Sequence, residues 1–500
     1  MDMHVAPAPL VESKALRLTL FLFLMSAMFM ATLDNQIVST ALPTIVGEFG
    51  QMERFGWVGS AYLLATCAVM PLYGKLGDLF GRKYVMLSAI LIFTVGSIAC
   101  GFAVSMNTLI AARVLQGLGG GGIMVSIFAI NADLFEPRER ARYQSYSSLV
   151  LMASGAIGPV LGGAMSDLFG WRSIFLVNIP IGVLVIAGLM VFLPYRRPTR
   201  VPKIDYAGAL LLAGAITSVV LLADGSELFG SLLSTGGLAV IAFGLLCAVA
   251  WVIVERRAPE PVVPLPLFAN STFSLFLIIS LASGAIGIGL VNYFALFLQT
   301  TTGLTPSLAG LMFVMLTGGI VCGSISAGRM ISKTGRYKPF AIASPGIAIL
   351  SLLLMSQVQP GTSIFLIGAI MGLHGIGIGL GQQVPVLGVQ NSAPKRDVGA
   401  ATGSVTLARM GGASIGISIY GATNAAGLAR QDFAIPGLES IEKMTPQILA
   451  ALPEASRQMV ADYYTQAFHP LFVTAAIIAL TGLVCAICLK SVHLPQKVAA

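Results

Sequence analysis

The sequence predicts an all-α membrane protein of many spans. Three observations carry this. Of 500 residues, 56% are hydrophobic and only 10% are charged, where a soluble domain carries roughly 25% charge. Apolar runs of bilayer-crossing length, about 20 helical residues, recur along the whole chain. Lysine and arginine crowd into alternate connections between those runs. Such a chain cannot cover itself with a water-facing surface, which excludes a soluble enzyme or binding domain.

Fourteen runs are predicted to be helices, with cores at 17–37, 56–74, 84–104, 107–131, 143–165, 172–193, 206–223, 235–254, 273–298, 307–330, 339–358, 362–388, 399–424 and 470–490. The first is a span rather than a cleavable leader, because no small-residue cleavage site follows it and thirteen more runs do. With both termini in the cytoplasm, the inner connections hold 22 of the 29 Lys and Arg residues. Five (Arg54, Arg172, Arg430, Lys443 and Arg457) fall outside, and Arg113 and Arg409 lie within runs. This bias orients the protein. It also accounts for the net charge of +8 without nucleic acid. The six cysteines all lie in apolar runs. Cys485 and Cys488 have redox or metal spacing but no second pair, and read as membrane-buried thiols.

Two basic, proline-rich connections, 194–206 and 255–268, bracket the seventh and eighth runs. They divide the chain into a six-helix bundle at 1–193, a linker with an inserted helix pair at 194–270, and a second six-helix bundle at 271–500. The last bundle holds the one sizeable outer loop, 425–469, expected to be partly helical over 454–468. The bundles are weakly alike. "GKLGDLFGRK" from Gly74 and "GRMISKTGRYK" from Gly328 share a glycine followed seven residues on by Gly-Arg; "SGAIGP" (154–159) and "GASIGI" (412–417) also correspond. Repeats of this kind place a carrier's substrate site between its halves at mid-membrane.

Five motifs stand in order along the chain: "LDNQIVSTALP" (33–43), "GKLGDLFGRK" (74–83), "ARVLQGLGGGG" (112–122), "SGAIGPVLGG" (154–163) and "WRSIFLVNIPIG" (171–182). Together they resemble the major facilitator superfamily, and within it the fourteen-span EmrB/QacA-like drug:proton antiporters, over essentially the whole length. The resemblance implies a major facilitator fold of fourteen transmembrane helices, with two six-helix bundles plus an inserted pair. It implies alternating access and export of lipophilic compounds, cations among them, in exchange for protons. It also implies the cytoplasmic (inner) membrane of a bacterium as location, the lipid bilayer as surroundings, and a periplasmic adaptor as a partner. Three positions depart from the pattern: Ser332 stands where the first copy has Asp78, Ile417 where it has Pro159, and Gln36 where the first motif usually has Thr.

Asp34 is the deepest acid in any run. A charge at mid-membrane costs at least about 2.5–3.5 kcal/mol, so such groups default to function. Burial and a nearby cation pull a carboxyl's proton affinity in opposite directions, which suits a proton-coupling group. Arg113 is the expected partner, its depth differing from that of Asp34 by roughly one helical turn; a static ion pair is the alternative. Gln116 lies one turn along on the same face. The resemblance assigns Gly74, Asp78, Gly81, Arg82 and Lys83 to a conformational latch, with Asp133 as the partner of Arg82. Gly117, Gly119, Gly120, Gly121 and Gly122 read as close helix packing, as do Gly158, Gly162 and Gly163 of the antiporter helix motif, where Pro159 is expected to bend the helix. Asp34, Gln36, Gln116, Asn292, Tyr293, His374 and Arg409 are the substrate-binding candidates, with Gln382 and Gln383 as further polar groups. His374 reads more readily as a packing hydrogen bonder than as a coupling site.

No enzyme motif is present: there is no Walker A loop, no HExxH and no metal-ligand cluster among the four scattered histidines. No cofactor is expected beyond the coupling protons. Two other readings remain. One is export of a neutral antibiotic, siderophore or lipid on the same fold. The other is a non-transporting membrane sensor or accessory subunit.

Overall fold

The structure is a computed structural model that describes residues 10–49, 55–196, 203, 205–223, 234–304, 306–430, 453–491 and 494. The helices of the first half are α1 (Lys14–Phe49), α2 (Phe55–Phe80), α3 (Arg82–Gly101), α4 (Met106–Leu134), a short surface helix α5 (Pro137–Ser145), α6 (Ser147–Phe169) and α7 (Asn178–Phe192). An inserted hairpin, α8 (Tyr206–Ala223) and α9 (Thr235–Glu255), follows. The second half is α10 (Ser271–Thr301), α11 (Pro306–Thr334), α12 (Lys338–Met355), α13 (Ile364–Ser392), α14 (Val398–Ala429) and α15 (Glu454–Cys488). A π-helical segment, Ala285–Gly289, interrupts α10.

Eleven helices among the described residues are long and apolar enough to cross a membrane, where fourteen runs were expected. The hairpin helix α8 is apolar but shorter. Of the other two, α14 is rich in Gly, Ala, Ser and Thr, which trade hydropathy for close contact with other helices, and α6 contains side chains that lie outside the description. The segment 454–468 is helical as expected, but it belongs to the 35-residue α15 rather than to a separate loop helix. The rest of the outer loop, 431–452, lies outside the described residues.

The repeat seen in the sequence is a repeat of structure. Gly81 turns the chain between α2 and α3 with φ +90°, and Gly335 does the same between α11 and α12 with φ +70°, a region that favours glycine. Within each half the other glycines set helix spacing. A methyl at Gly119 would overlap the backbone of Phe93 on α3, and one at Gly117 the carbonyl of Tyr62 on α2. Gly158 lies against Gln36, so α6 meets α1 there; Gly416 meets Ala285 in the matching place of the second half. Gly162 is buried. Gly163 corrects the sequence reading: nothing stands within 4 Å of its methyl position, so it makes no close helix contact. The helix runs on through Pro159, whose side chain lies outside the description.

The hydrogen bonds that join the halves sit at the end where the basic connections lie. Asp78 of α2 accepts the amides of Gly399 and Ala400 at the start of α14. Ser148 reaches Ser324 and Gln382, and Gln383 reaches Ser147. The hairpin packs against both α2 and α14. Its outward face, including Leu245, Leu246 and Val249, is exposed as a lipid-facing surface would be.

Gly119→Ala is expected to lower the thermal unfolding midpoint of the purified protein, since overpacking a close contact costs about 1–3 kcal/mol. Gly163→Ala, with open space around it, is expected to leave the midpoint unchanged or slightly raised. Equal loss in both would contradict the packing just described.

Candidate functional site

Five helices of the first half bring polar atoms to one buried point. Asp34 and Arg113 form an ion pair at 2.6 Å, both side chains with 0% exposure. Asp34 Oδ2 takes that contact. Its Oδ1 accepts from Gln116 Nε2 at 2.8 Å and from Asn178 Nδ2 at 2.8 Å. Both amides also donate to Ser97 Oγ of α3, at 2.6 and 3.0 Å. Arg113 donates through Nε to the carbonyl of Val58 at 3.1 Å and through Nη1 to Gln116 Oε1 at 2.6 Å. Its guanidinium lies 4.3 Å from the ring centre of Tyr62, a cation–π contact.

The chemistry follows from the solvent. In hydrocarbon, no water completes a carboxylate's hydrogen bonds, so the protein must supply the donors. The small glycine side matters here: Gly96 has room only for the backbone of Gln116 beside it, which brings Gln116 within reach of Ser97. An apolar wall of Leu33, Ile37, Leu109, Ala112 and Phe175 closes the cluster. Arg113 Nη2 and Asn178 Oδ1 are buried without partners. The cluster therefore holds spare hydrogen-bonding capacity next to its one acid. Removing either charge from such a pair strands the other.

The outer end of α1 is tied down separately. Glu48 accepts from Trp171 Nε1 at 2.6 Å and pairs with Arg172 at 2.8 Å. The Arg172 contact holds the Glu48 carboxyl below its ordinary value, with Trp171 adding to it.

At the basic end, Arg82 pairs with Asp133 at 2.9 Å and Asp78 at 3.4 Å, and donates to the Ala129 carbonyl. Lys83 reaches away to the Met190 carbonyl at 2.7 Å. A methyl at Gly74 would overlap the Gly399 carbonyl. Beside this seam, Gln390 of α13 accepts from Arg140 and Gln144 at 3.2 Å each and donates to the Phe128 carbonyl at 3.0 Å. Burial pushes the Arg140 guanidinium down to about 10, so it stays charged at neutral pH.

Several candidates lie elsewhere than the sequence reading placed them. Gln116 and Asp34 have no exposed surface and belong to the ion-pair cluster, not to an open cavity. His374 is buried, with Nε2 on the Ile286 carbonyl at 3.1 Å and Nδ1 on Ser351 at 2.9 Å. Because a carbonyl only accepts, Nε2 carries the proton and both ring nitrogens are engaged inside the second half. Tyr293 bonds the Ile417 carbonyl at 3.0 Å. Arg409 makes a 3.4 Å contact with the Gln382 carbonyl, and its Nε is buried without a partner. Gln382 and Gln383 bind across the seam between the halves. The side chain of Asn292 lies outside the described residues. The sequence reading gave no role to Asn178, Ser97, Tyr62, Arg140 or Gln390. Asn178 had a signal, an amide inside the apolar stretch "FLVNIPIG".

Two alike helical halves, a buried ion pair in one and a polar seam between them have the architecture of a helical membrane carrier. Comparison with known proteins makes this specific. Residues 24–417 match the Major Facilitator Superfamily, and the chain belongs to that family; it is a transporter, not an enzyme. It is 30% identical to the multidrug transporter protein MdtP of Bacillus subtilis, over 97% of this chain and 95% of that protein. It is 32% identical to an uncharacterized MFS-type transporter of Mycobacterium tuberculosis, over 98% of this chain and 72% of that one. Among solved structures, the human organic anion transporter MFSD10 superposes with a TM-score of 0.62 at 14% identity, covering 93% of this chain and 99% of that one. The proton:xylose symporter XylE gives 0.59 at 13% identity, covering 94% and 97%. These two share the fold.

A double-mutant cycle tests the cluster. Arg113→Ala is expected to cost about 3–5 kcal/mol in unfolding free energy, because it leaves Asp34 buried without its cation. Arg113→Ala combined with Asp34→Asn is expected to cost clearly less than the two single changes added together. Additive losses would mean that the pair is not coupled.

Proposed function

We propose that this protein is a proton-coupled antiporter that exports lipophilic compounds, cations among them, across the cytoplasmic membrane of a bacterium. The observation that carries the reading is the Asp34–Arg113 pair at 2.6 Å with neither side chain exposed. An ionisable pair inside a membrane helix bundle is the device a proton-driven carrier needs, and the 30% identity to a multidrug transporter supports drug export. On this reading α6, α8 and α14 also cross the bilayer, which makes fourteen spans with both termini in the cytoplasm.

The cycle has two steps. When the cavity opens outward, Asp34 takes up a proton, Arg113 is released from it, and substrate leaves. When the cavity opens inward, Asp34 gives its proton to the cytoplasm and substrate binds. Each charge moved inward gains about 2.3 kcal/mol per 100 mV of membrane potential. Because Asp34 is sealed, substrate and proton communicate through movement of α1 and α4 rather than by direct contact in this state. Asp78, Arg82 and Asp133 bias the two states by holding the basic end closed in one of them.

The test uses inverted membrane vesicles with an acidified lumen and a pH-sensitive dye. Lipophilic cations and neutral antibiotics are expected to release lumenal protons from wild-type vesicles. The same compounds are expected to release none from Asp34→Asn vesicles containing equal amounts of protein. An equal response in the variant would remove Asp34 from the coupling. Release by neutral compounds alone would replace the cationic substrate class.

A further inference from the structure

The hairpin α8–α9 takes no part in the Asp34 cluster, yet it carries a buried acid and a half-buried one. Asp205 stands just before α8, and its Oδ1 accepts the amide of Gly208 at 2.8 Å. Glu255 is the last residue of α9 and is 3% exposed. Its Oε1 accepts the amide of Val263 at 2.5 Å. The remaining oxygens, Asp205 Oδ2 and Glu255 Oε2, are both buried with no donor. Both lie against the methyl position of Gly208. They meet beside Gly208, where a methyl would overlap the Asp205 carboxyl and come within 2.8 Å of Glu255 Oε2. A side chain at 208 would therefore fill the space that the two carboxyls share.

The charges around this contact come from three elements. Lys75 of α2 is the buried cation, and Glu260, in the connection after α9, engages it at 2.8 Å. Lys203, Arg256 and Arg257 are exposed. Two ionised carboxylates cannot face one another in a dry site without a positive group between them, and one of the two keeps its proton instead. We propose that Asp205 and Glu255 bind one proton between them, forming a second proton site on the inserted hairpin, separate from Asp34.

The helix ends say which acid carries it. Asp205 caps the N-terminus of α8, where the helix dipole favours negative charge, whereas Glu255 closes the C-terminus of α9, where the dipole opposes it. The proton resides on Glu255, which donates to Asp205 Oδ2. Lys75 sets the occupancy. It follows Gly74 on α2, and while Glu260 engages it at 2.8 Å the carboxyl pair retains its proton. A movement of α2 that brought Lys75 onto the pair would displace that proton. Because the hairpin packs on α2 from one half and α14 from the other, rocking of the halves changes one of these contacts.

Infrared pH-difference spectra of the purified full-length protein test this without any transport assay. Wild type is expected to show a protonated-carboxyl band that bleaches as pH rises. Glu255→Gln is expected to delete that component. Asp205→Asn is expected to move its midpoint to lower pH by roughly 1–3 units, since the neighbouring negative charge is gone. Gln and Asn keep the acceptors used by the Val263 and Gly208 amides, so both variants are expected to fold. If Glu255→Gln is not recovered as a monodisperse protein, Asp205→Asn alone carries the test. A Glu255→Gln spectrum that matches wild type overturns the proposal, as does an unshifted midpoint in Asp205→Asn. Because the readout is proton binding, the antiport reading can fail while this one stands.

Discussion

A carboxylate held in hydrocarbon must have its lone pairs met by the protein, and that requirement fixes how half of this molecule is assembled. Asp34 draws donors from α4 and α7, and Ser97 of α3 holds the two amides that serve it. Val58 and Tyr62 of α2 hold the guanidinium from its other side. None of these helices can slide by a turn without stranding a buried polar group, and each such loss costs about 1–3 kcal/mol, more where a charge is left. The glycines of α4 exist to let this happen. They allow α2 and α3 to approach until short side chains can meet.

The same two helices carry the other end of the machine. α2 offers Val58 and Tyr62 to the ion pair and, about four turns on, Gly74 and Asp78 to the seam between the halves. α4 offers Arg113 and Gln116 to the ion pair and Ala129 and Asp133 to Arg82. Between these ends the helices are locked backbone to backbone, at Gly117 against Tyr62 and at Gly121 against Thr66. Protein interiors packed this closely transmit displacement rather than absorb it. A displacement at the Asp34–Arg113 pair therefore has a rigid path to the Arg82–Asp133 contact, made of two helices and not of a chain of side chains.

Local rules made much of this legible in the sequence. Hydropathy located the spans because a lipid-facing helix must be apolar. The Asp34–Arg113 pairing could be read because two charges in hydrocarbon have few other partners, and the Gly81 and Gly335 turns because tight turns need positive φ. Where the sequence misled, long-range packing was the cause. Gln382 and Gln383 look like cavity residues in an apolar run, but the second half meets the first at their position. His374, by contrast, packs as a lone histidine in an apolar helix usually does, with the π segment of α10 presenting the Ile286 carbonyl to it. Gln390 and Asn178 gave little away. A single amide becomes a junction only when helices distant in sequence converge on it.

The two copies of the repeat close the basic end by different physics. Each contributes a glycine where the other half arrives: Gly74 under Gly399, and Gly328 under Ala141 and Ser145. Only the first copy keeps the acid. Asp78 grips the amide end of α14, a charge at a helix N-terminus, and Arg82 ties it to α4. At the matching position the second copy has Ser332, and its seam is held by hydroxyls and amides, Ser148 to Ser324 and Gln383 to Ser147. Neutral hydrogen bonds exchange readily for water, whereas charge-assisted ones are roughly twice as strong. The α2–α14 seam is thus one whose strength depends on a carboxylate, and it is the seam against which the hairpin with Lys75, Asp205 and Glu255 is packed. On the α2–α14 side an acid meets backbone amides, whereas on the other side cations, Arg138 and Arg140, meet neutral acceptors.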